Sequence, residues 1–357
     1  MIIVARGGEI GLHEAIGFAD RGAGRPARKD DVFRLLSVTK ALTTALVLAA
    51  VDRGQLTLTT KVVEVIPEFA GSDKFRGRYK DVLTVAHLLT HRGGLLGTPT
   101  PVPYEELGDF TKTIAAICEF DLVGTPGEQV AYSPALGYAL LGEILRRVTG
   151  EGRSMREIMR QDLFEPLGMT STSLGAPAAW ADRLVPLVAH FGGGGFLTAH
   201  DIEVLNTAIS EDAEMPWVGA VSSAEDIFRF AEMVRRGGEL DGTRILSPAI
   251  LELATTNHTG LEPNELFRGI HLAMGWEVAP AYIGLGFTLR GSGLAPTMYG
   301  STSSPRTHGN FGAGSTLFWI DPARDLTFVC LTAGVMEEPV SIPRFQRLSD
   351  MAVAAAV

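Results

Sequence analysis

The chain has 357 residues, 46% apolar and 20% charged, with 31 basic and 41 acidic side chains and a formal charge of −10. This is globular composition at about two domains' length, which argues against a disordered chain. A negative balance without a basic cluster argues against nucleic-acid binding. The apolar run Ala41–Val51 is too short to span a bilayer. Arg6 interrupts Met1–Val4 too early for a signal-peptide core. The sequence therefore reads as a cytoplasmic protein without membrane partners. Only six basic residues are lysine, at 29, 40, 61, 74, 80 and 112, so a lysine in an apolar setting stands out.

In chain order, Ile2–Ala5, the turn at Gly7-Gly8 and the return over Ile10–Gly17 predict a hairpin. Ser37–Val51 reads as a helix apolar on nearly every side, hence buried, with Gly54 as its stop. Val82–Thr90 and the amphipathic Tyr138–Val148 predict two more helices. The glycine run 192–195 reads as a flexible turn, since no strand precedes it in phosphate-loop register. Ser222–Arg236 predicts a helix capped by Ser223 and ended by Gly237-Gly238. Strands follow at Gly275–Val278, Ile283–Leu289, Thr316–Ile320 and Thr327–Thr332, and a terminal helix at Ser341–Val357. Strands at both ends and helices between predict a sheet domain from residues 1–75 and 216–357, with a mainly helical insertion over 76–215. Cys118 and Cys330 lie far apart and read as buried structural thiols.

The chemistry-bearing motif is Ser37-Val38-Thr39-Lys40. Positions i and i+3 of a helix share a face, which brings the lysine nitrogen to the serine hydroxyl. A lysine desolvated among Leu35, Leu36, Val38, Ala41, Leu42 and Ala45 has a lowered pKa and serves as a general base. The helix start also favours developing negative charge. By itself the motif is weak, because 17 serines and six lysines give roughly 0.3 chance occurrences. Neither G-x-S-x-G nor H-E-x-x-H occurs, and the remaining histidines have no metal-ligand spacing, so no metal or cofactor is expected. Trp180, Trp217 and Trp276 read as packing residues.

Seven ordered blocks carry a resemblance over nearly the whole chain. The first is F-R-L-L-S-V-T-K-A-L-T-T-A-L-V-L-A-A-V-D-R-G-Q-L-T-L around Ser37. L-L-T-H-R-G-G-L (88–95), P-G-E-Q-V-A-Y-S-P-A-L-G-Y-A-L-L-G (126–142) and F-E-P-L-G-M-T-S-T (164–172) follow. The last three are V-G-A-V-S-S-A-E-D-I-F-R-F (218–230), G-G-E-L-D-G-T-R-I-L-S-P (237–248) and G-N-F-G-A-G-S-T-L-F-W-I-D-P (309–322). Together they resemble the serine β-lactamase/penicillin-binding-protein superfamily, in its class C-like branch with the family VIII carboxylesterases. The resemblance implies an α/β (α+β) fold of the β-lactamase/transpeptidase type, with an antiparallel sheet flanked by helices. It also implies that Ser37 is the acylated nucleophile, Lys40 its proton acceptor and Tyr132 the proton shuttle. The oxyanion hole would be the Ser37 N–H and one from Gly312-Ala313.

The sequence departs from the family pattern at three places. Pro134 replaces the asparagine of Y-x-N, and Asn310 replaces the lysine or histidine of the third motif, where His308 is a candidate substitute. His91-Arg92-Gly93-Gly94-Leu95 replaces H-T-S-G-L, a block in which His91 reads as scaffold. Losing the amide- and carboxylate-binding positions favours a hydrolase of small neutral esters, acting as a monomer or homodimer. The same nucleophile is compatible with a β-lactamase or D-amino-acid peptidase, with an acyltransferase, and with an idle ligand-binding homologue.

Overall fold

The computed structural model describes residues 1–70, 77–97, 100–149, 151–193 and 197–356. The expected domain boundary at 75–76 and the latter half of the glycine run fall outside them.

Three groups of elements position the site. The strands are β1 (Ile2–Arg6), β2 (Glu9–Glu14), β3 (Phe33–Arg34), β4 (Thr172–Leu174), β5 (Ala220–Ser222), β6 (Thr288–Leu289), β7 (His308–Gly312), β8 (Thr316–Asp321) and β9 (Leu326–Leu331). The helices are α1 (Thr39–Asp52), α2 (Val85–Leu89), α3 (Leu136–Thr149), α4 (Ala224–Arg235), α5 (Glu265–Ala273) and α6 (Glu338–Ala355). Six strands form an antiparallel sheet in the order β6-β7-β8-β9-β1-β2, with Ile2 opposite Cys330 and Gly309 opposite Trp319. The first strand, β1, thus lies beside β9 from near the other end of the chain. β3, β5 and β4 make a second, three-stranded sheet.

The central strands are buried on both faces, so they read as continuous apolar runs rather than alternating ones. Along β8, Phe318 and Ile320 face the main core and Leu317 and Trp319 face a second cluster. On the first side Phe230 of α4 meets Phe318 edge-on at 5.8 Å, and on the second Trp319 Nε1 donates to Ser349 Oγ of α6 at 2.9 Å. Both cysteines are buried free thiols.

α1 is buried along almost its whole length. Its polar residues are each bonded to other segments, as burial requires. Thr39 Oγ1 accepts from the Ala220 N–H at 3.1 Å, Thr43 Oγ1 donates to the Pro216 carbonyl at 2.6 Å, and Thr44 Oγ1 pairs with the Tyr138 hydroxyl at 3.0 Å. Gly54, at φ 69°, closes the helix.

Three expectations need correction. The helix over 82–90 shrinks to α2, because the Thr84 hydroxyl and the His87 imidazole form a reciprocal cap at its start. Gly275–Val278 is not a strand; Trp276 turns onto His271 instead. Of Ile283–Leu289 only the last two residues pair in the sheet. Gly284 and Gly286 lodge where a Cβ would come within 2.0 Å of the Ala254 carbonyl and 2.1 Å of Thr44 Oγ1, so this segment packs down onto helices.

Candidate active site

Ser37 stands in a one-turn 3-10 segment, Leu36–Val38, that runs directly into α1. Leu36 has φ 52°, a left-handed conformation that costs a non-glycine residue roughly 1–3 kcal/mol. Ties on the preceding residue hold it. The Leu35 N–H donates to the Ala220 carbonyl at 2.9 Å, and the Leu35 carbonyl accepts from Thr316 Oγ1 at 2.6 Å.

Lys40 follows one turn later. Its Nζ donates to Ser37 Oγ at 3.2 Å and to the Trp217 carbonyl at 2.9 Å. The side chain is buried, and among the described residues no carboxylate charge acts on it. Desolvation alone pushes its pKa down to about 7. A substantial neutral fraction, with a lone pair beside Ser37 Oγ, is therefore present at physiological pH.

Tyr132 reaches Ser37 from the loop that precedes α3. Its O–H donates to Ser37 Oγ at 2.8 Å, and burial pushes the phenol up to about 12, so it holds its proton at neutral pH. The loop is pinned on both flanks. The Ala131 N–H donates to the His91 carbonyl at 2.9 Å, the Ser133 N–H to His91 Nδ1 at 3.3 Å, and the Tyr132 N–H to Asn264 Oδ1 at 3.2 Å. Burial, aided by Lys40, pushes His91 down to about 3. The imidazole is therefore neutral, accepts at Nδ1, and lies against the Tyr132 ring with centroids 4.6 Å apart. That is a scaffold's environment.

β7 supplies the third wall. At Gly312 a Cβ would come within 2.5 Å of the Leu35 carbonyl and 2.9 Å of Leu36 Cβ, so only glycine lets this strand press against the nucleophile's turn. Ala313, at φ 41°, lines the same small space as Ser37, Tyr132 and Pro134. Positive φ at Leu36, His91 and Ala313 concentrates backbone strain around one point, as functional sites do.

Ser37, Lys40, Tyr132, Gly312 and Ala313 thus come together. Asn310 borders the cleft, but its amide is turned onto the protein. Nδ2 donates to the Gly286 carbonyl at 3.3 Å and Oδ1 accepts from the Phe311 N–H at 2.9 Å. His308 does not join them, which corrects its candidacy as a substitute cation. Its Nδ1 donates to the Arg306 carbonyl at 2.9 Å, and its ring meets Phe287 at 6.0 Å. It lines a separate groove with Val234 and Leu251, and burial holds its pKa down.

Sequence reading missed Asn264, Phe267 and Glu338. Asn264 Oδ1 both caps α5, accepting from the Leu266 N–H at 3.1 Å, and holds Tyr132. Its only local signal is that of any helix N-cap. Phe267 and Glu338 line the space around Ser37, and burial raises the Glu338 pKa. An apolar cavity of about 140 Å³ adjoins Lys40, Tyr132 and Asn310. Among the described residues no group of three or more His, Cys, Asp or Glu could hold a metal, and no helix is long and apolar enough to cross a membrane.

This arrangement, a serine hydroxyl between a lysine titrating near neutrality and a protonated tyrosine, is equipped for acyl transfer. Comparison with known proteins agrees with that chemistry. The profile of the Beta-lactamase family matches residues 1–349. The chain is 31% identical to penicillin-binding protein 4 of Amycolatopsis lactamdurans over 267 residues, 74% of this chain and 67% of that one. It is 36% identical to esterase EstB of Burkholderia gladioli over 180 residues, 47% of this chain and 44% of that one. The fold superimposes on the crystal structure of a family VIII carboxylesterase with a TM-score of 0.81 and 24% identity, covering 100% of this chain and 92% of that one. The chain belongs to the β-lactamase family and is a serine hydrolase of that superfamily.

Proposed function

We propose that the protein is an esterase that cleaves small neutral carboxylic esters through an acyl-enzyme on Ser37. The observation that carries this reading is Ser37 Oγ lying 3.2 Å from Lys40 Nζ and 2.8 Å from the Tyr132 hydroxyl. Neutral Lys40 takes the Ser37 proton as Oγ attacks the ester carbonyl. Tyr132 gives its proton to the departing alkoxide and recovers one from Lys40. Water, activated by the same pair, then releases the acid. The N–H groups of Ser37 and Ala313 are assigned to the carbonyl oxygen as it becomes negative; such a donor is typically worth about 3 kcal/mol of barrier.

Substrate preference rests on what the cleft lacks. Pro134 offers no side-chain amide, and the Asn310 amide is engaged with the backbone. His308 does not take the place of the family's third-motif lysine or histidine, since it lies in another groove. Glu338, which also lines the space around Ser37, offers no positive charge to an anionic substrate. EstB, similar over nearly half of this chain, is named as an esterase.

The test is incubation with a p-nitrophenyl short-chain ester, nitrocefin and a fluorophosphonate, repeated with Ser37→Ala. Ester turnover and fluorophosphonate labelling that vanish in Ser37→Ala support the reading. Ester turnover surviving that substitution removes the mechanism. Nitrocefin turnover comparable to ester turnover removes the ester preference in favour of a β-lactamase.

A further inference from the structure

The space around Ser37 and the 140 Å³ cavity are neighbours sharing a wall. Tyr132, Phe267, Met298 and Phe311 line both. Three of these form a row of rings, Tyr132 to Phe267 at 6.1 Å and Phe267 to Phe311 at 6.3 Å between centroids. The cavity beyond continues along Phe287, Leu289 and Ile342.

The guanidinium, imidazole and amide groups named next in its lining are engaged with the protein itself. Arg290, the lining cation besides Lys40, donates to the carbonyls of Gly291, Gly293, Gly300 and Ser301. His271 Nδ1 accepts from the Ala279 N–H at 3.3 Å, and Asn310 is bonded as described. An anion would find no unengaged guanidinium here, whereas an apolar group would find aromatic and aliphatic walls. A dry apolar cavity of about 150 Å³ takes one benzene ring, so this one suits a single ring or about six carbons.

Which half of an ester enters follows from the proton's path. When the tetrahedral adduct on Ser37 collapses, the bond between the acyl carbon and the alcohol oxygen breaks, and its electron pair stays on that oxygen. The Tyr132 proton goes there, and Tyr132 is reprotonated by the Lys40 ammonium that carries the former Ser37 proton. The alcohol oxygen must therefore sit against Tyr132, and the cavity adjoining Tyr132 is where its carbon skeleton goes. We propose that the cavity behind Tyr132 and Phe267 is the subsite for the alcohol moiety, and that the preferred substrates are esters of a neutral benzyl-sized or six-carbon alcohol. This assignment rests on the esterase reading and adds the substrate class.

The experiment compares two series. One keeps acetate and varies the alcohol (ethyl, butyl, benzyl); the other keeps ethanol and varies the acid (acetate, hexanoate, phenylacetate). Benzyl acetate should exceed ethyl acetate in kcat/KM by at least about tenfold, with the acyl series changing less. In Leu289→Trp, which fills the cavity, the benzyl preference should disappear. Because that variant can fail to fold, benzyl alcohol binding to Ser37→Ala is measured by calorimetry, where one-to-one binding is expected. Ser37-dependent turnover with a flat alcohol series, a larger rise along the acyl series, or no binding of benzyl alcohol overturns the assignment. Absence of Ser37-dependent turnover with every ester instead overturns the esterase reading on which it rests.

Discussion

At Lys40 catalysis and stability make opposite demands. The amine is buried because a base near Ser37 must be neutral, and a buried amine is costly to charge. Two outcomes follow. First, kcat/KM should rise with pH through about 7 as the amine loses its proton; the phenol of Tyr132, at about 12, imposes no fall in the ordinary assay range. A rate profile flat between pH 5.5 and 8.5 would contradict Lys40 as base. Second, Lys40→Met should abolish activity yet unfold at higher urea than the parent at pH 6. In the parent the folded state takes up this proton only below about 7, whereas the unfolded chain does so below its ordinary lysine value. Folding therefore bears the full penalty below pH 7, roughly 3–5 kcal/mol, and recovers it as pH rises toward 10. The stability advantage of the methionine variant should shrink over that window. The Ser37–Lys40 spacing and the apolar neighbours of Lys40 were legible in the sequence, because both are local along one helix. Asn264, Phe267 and Glu338 were not, since each reaches the site from a segment remote from every motif.

Among the elements, the contact of β7 with the turn before α1 decides whether the nucleophile is presented. Gly312 has no room for a methyl group, with the Leu35 carbonyl 2.5 Å and Thr316 Oγ1 2.4 Å from where it would lie. Gly312→Ala should push β7 and the Leu36 turn apart. A displacement of that kind costs on the order of a hundredfold in rate, so kcat should collapse while circular dichroism stays close to that of the parent. An unchanged kcat would mean the strand does not set the position of Ser37. Composition identified α1 well, since only a central helix is apolar on every side. It misread 283–287 as strand because Ile283, Leu285 and Phe287 alternate with other residues as a strand would. The glycines between them set the backbone against helices instead.

For the whole molecule, buried neutral bases make acid the vulnerable side. His91 stays unprotonated down to about 3 in the folded state, whereas an unfolded histidine takes up a proton near 6.5. Its contribution is fully present above pH 6.5 and is lost progressively as pH falls to about 3, reaching several kcal/mol. His91→Asn, whose side-chain oxygen can still accept from the Ser133 N–H, should lose less stability between pH 6.5 and 4 than the parent in urea titrations. Equal losses would show that His91 is not the group responsible. The overall architecture, with strands from both ends and helices between, was readable from the order of motifs. How closely β1 and β9 neighbour each other was not, because pairing partners leave no mark on local pattern.

That pairing governs how the protein comes into being. Ile2 cannot meet Cys330 until more than three hundred residues have been synthesised, and such distant closures make folding slow. During translation the first strand can pair with β2 on one edge, but its other edge waits unpaired while α1 and α3 can already associate. The carbonyl of Leu35 likewise waits for Thr316. A nascent chain therefore carries its serine and lysine early but has no formed acyl-transfer centre, and hydrolytic competence arrives only with the last strands off the ribosome.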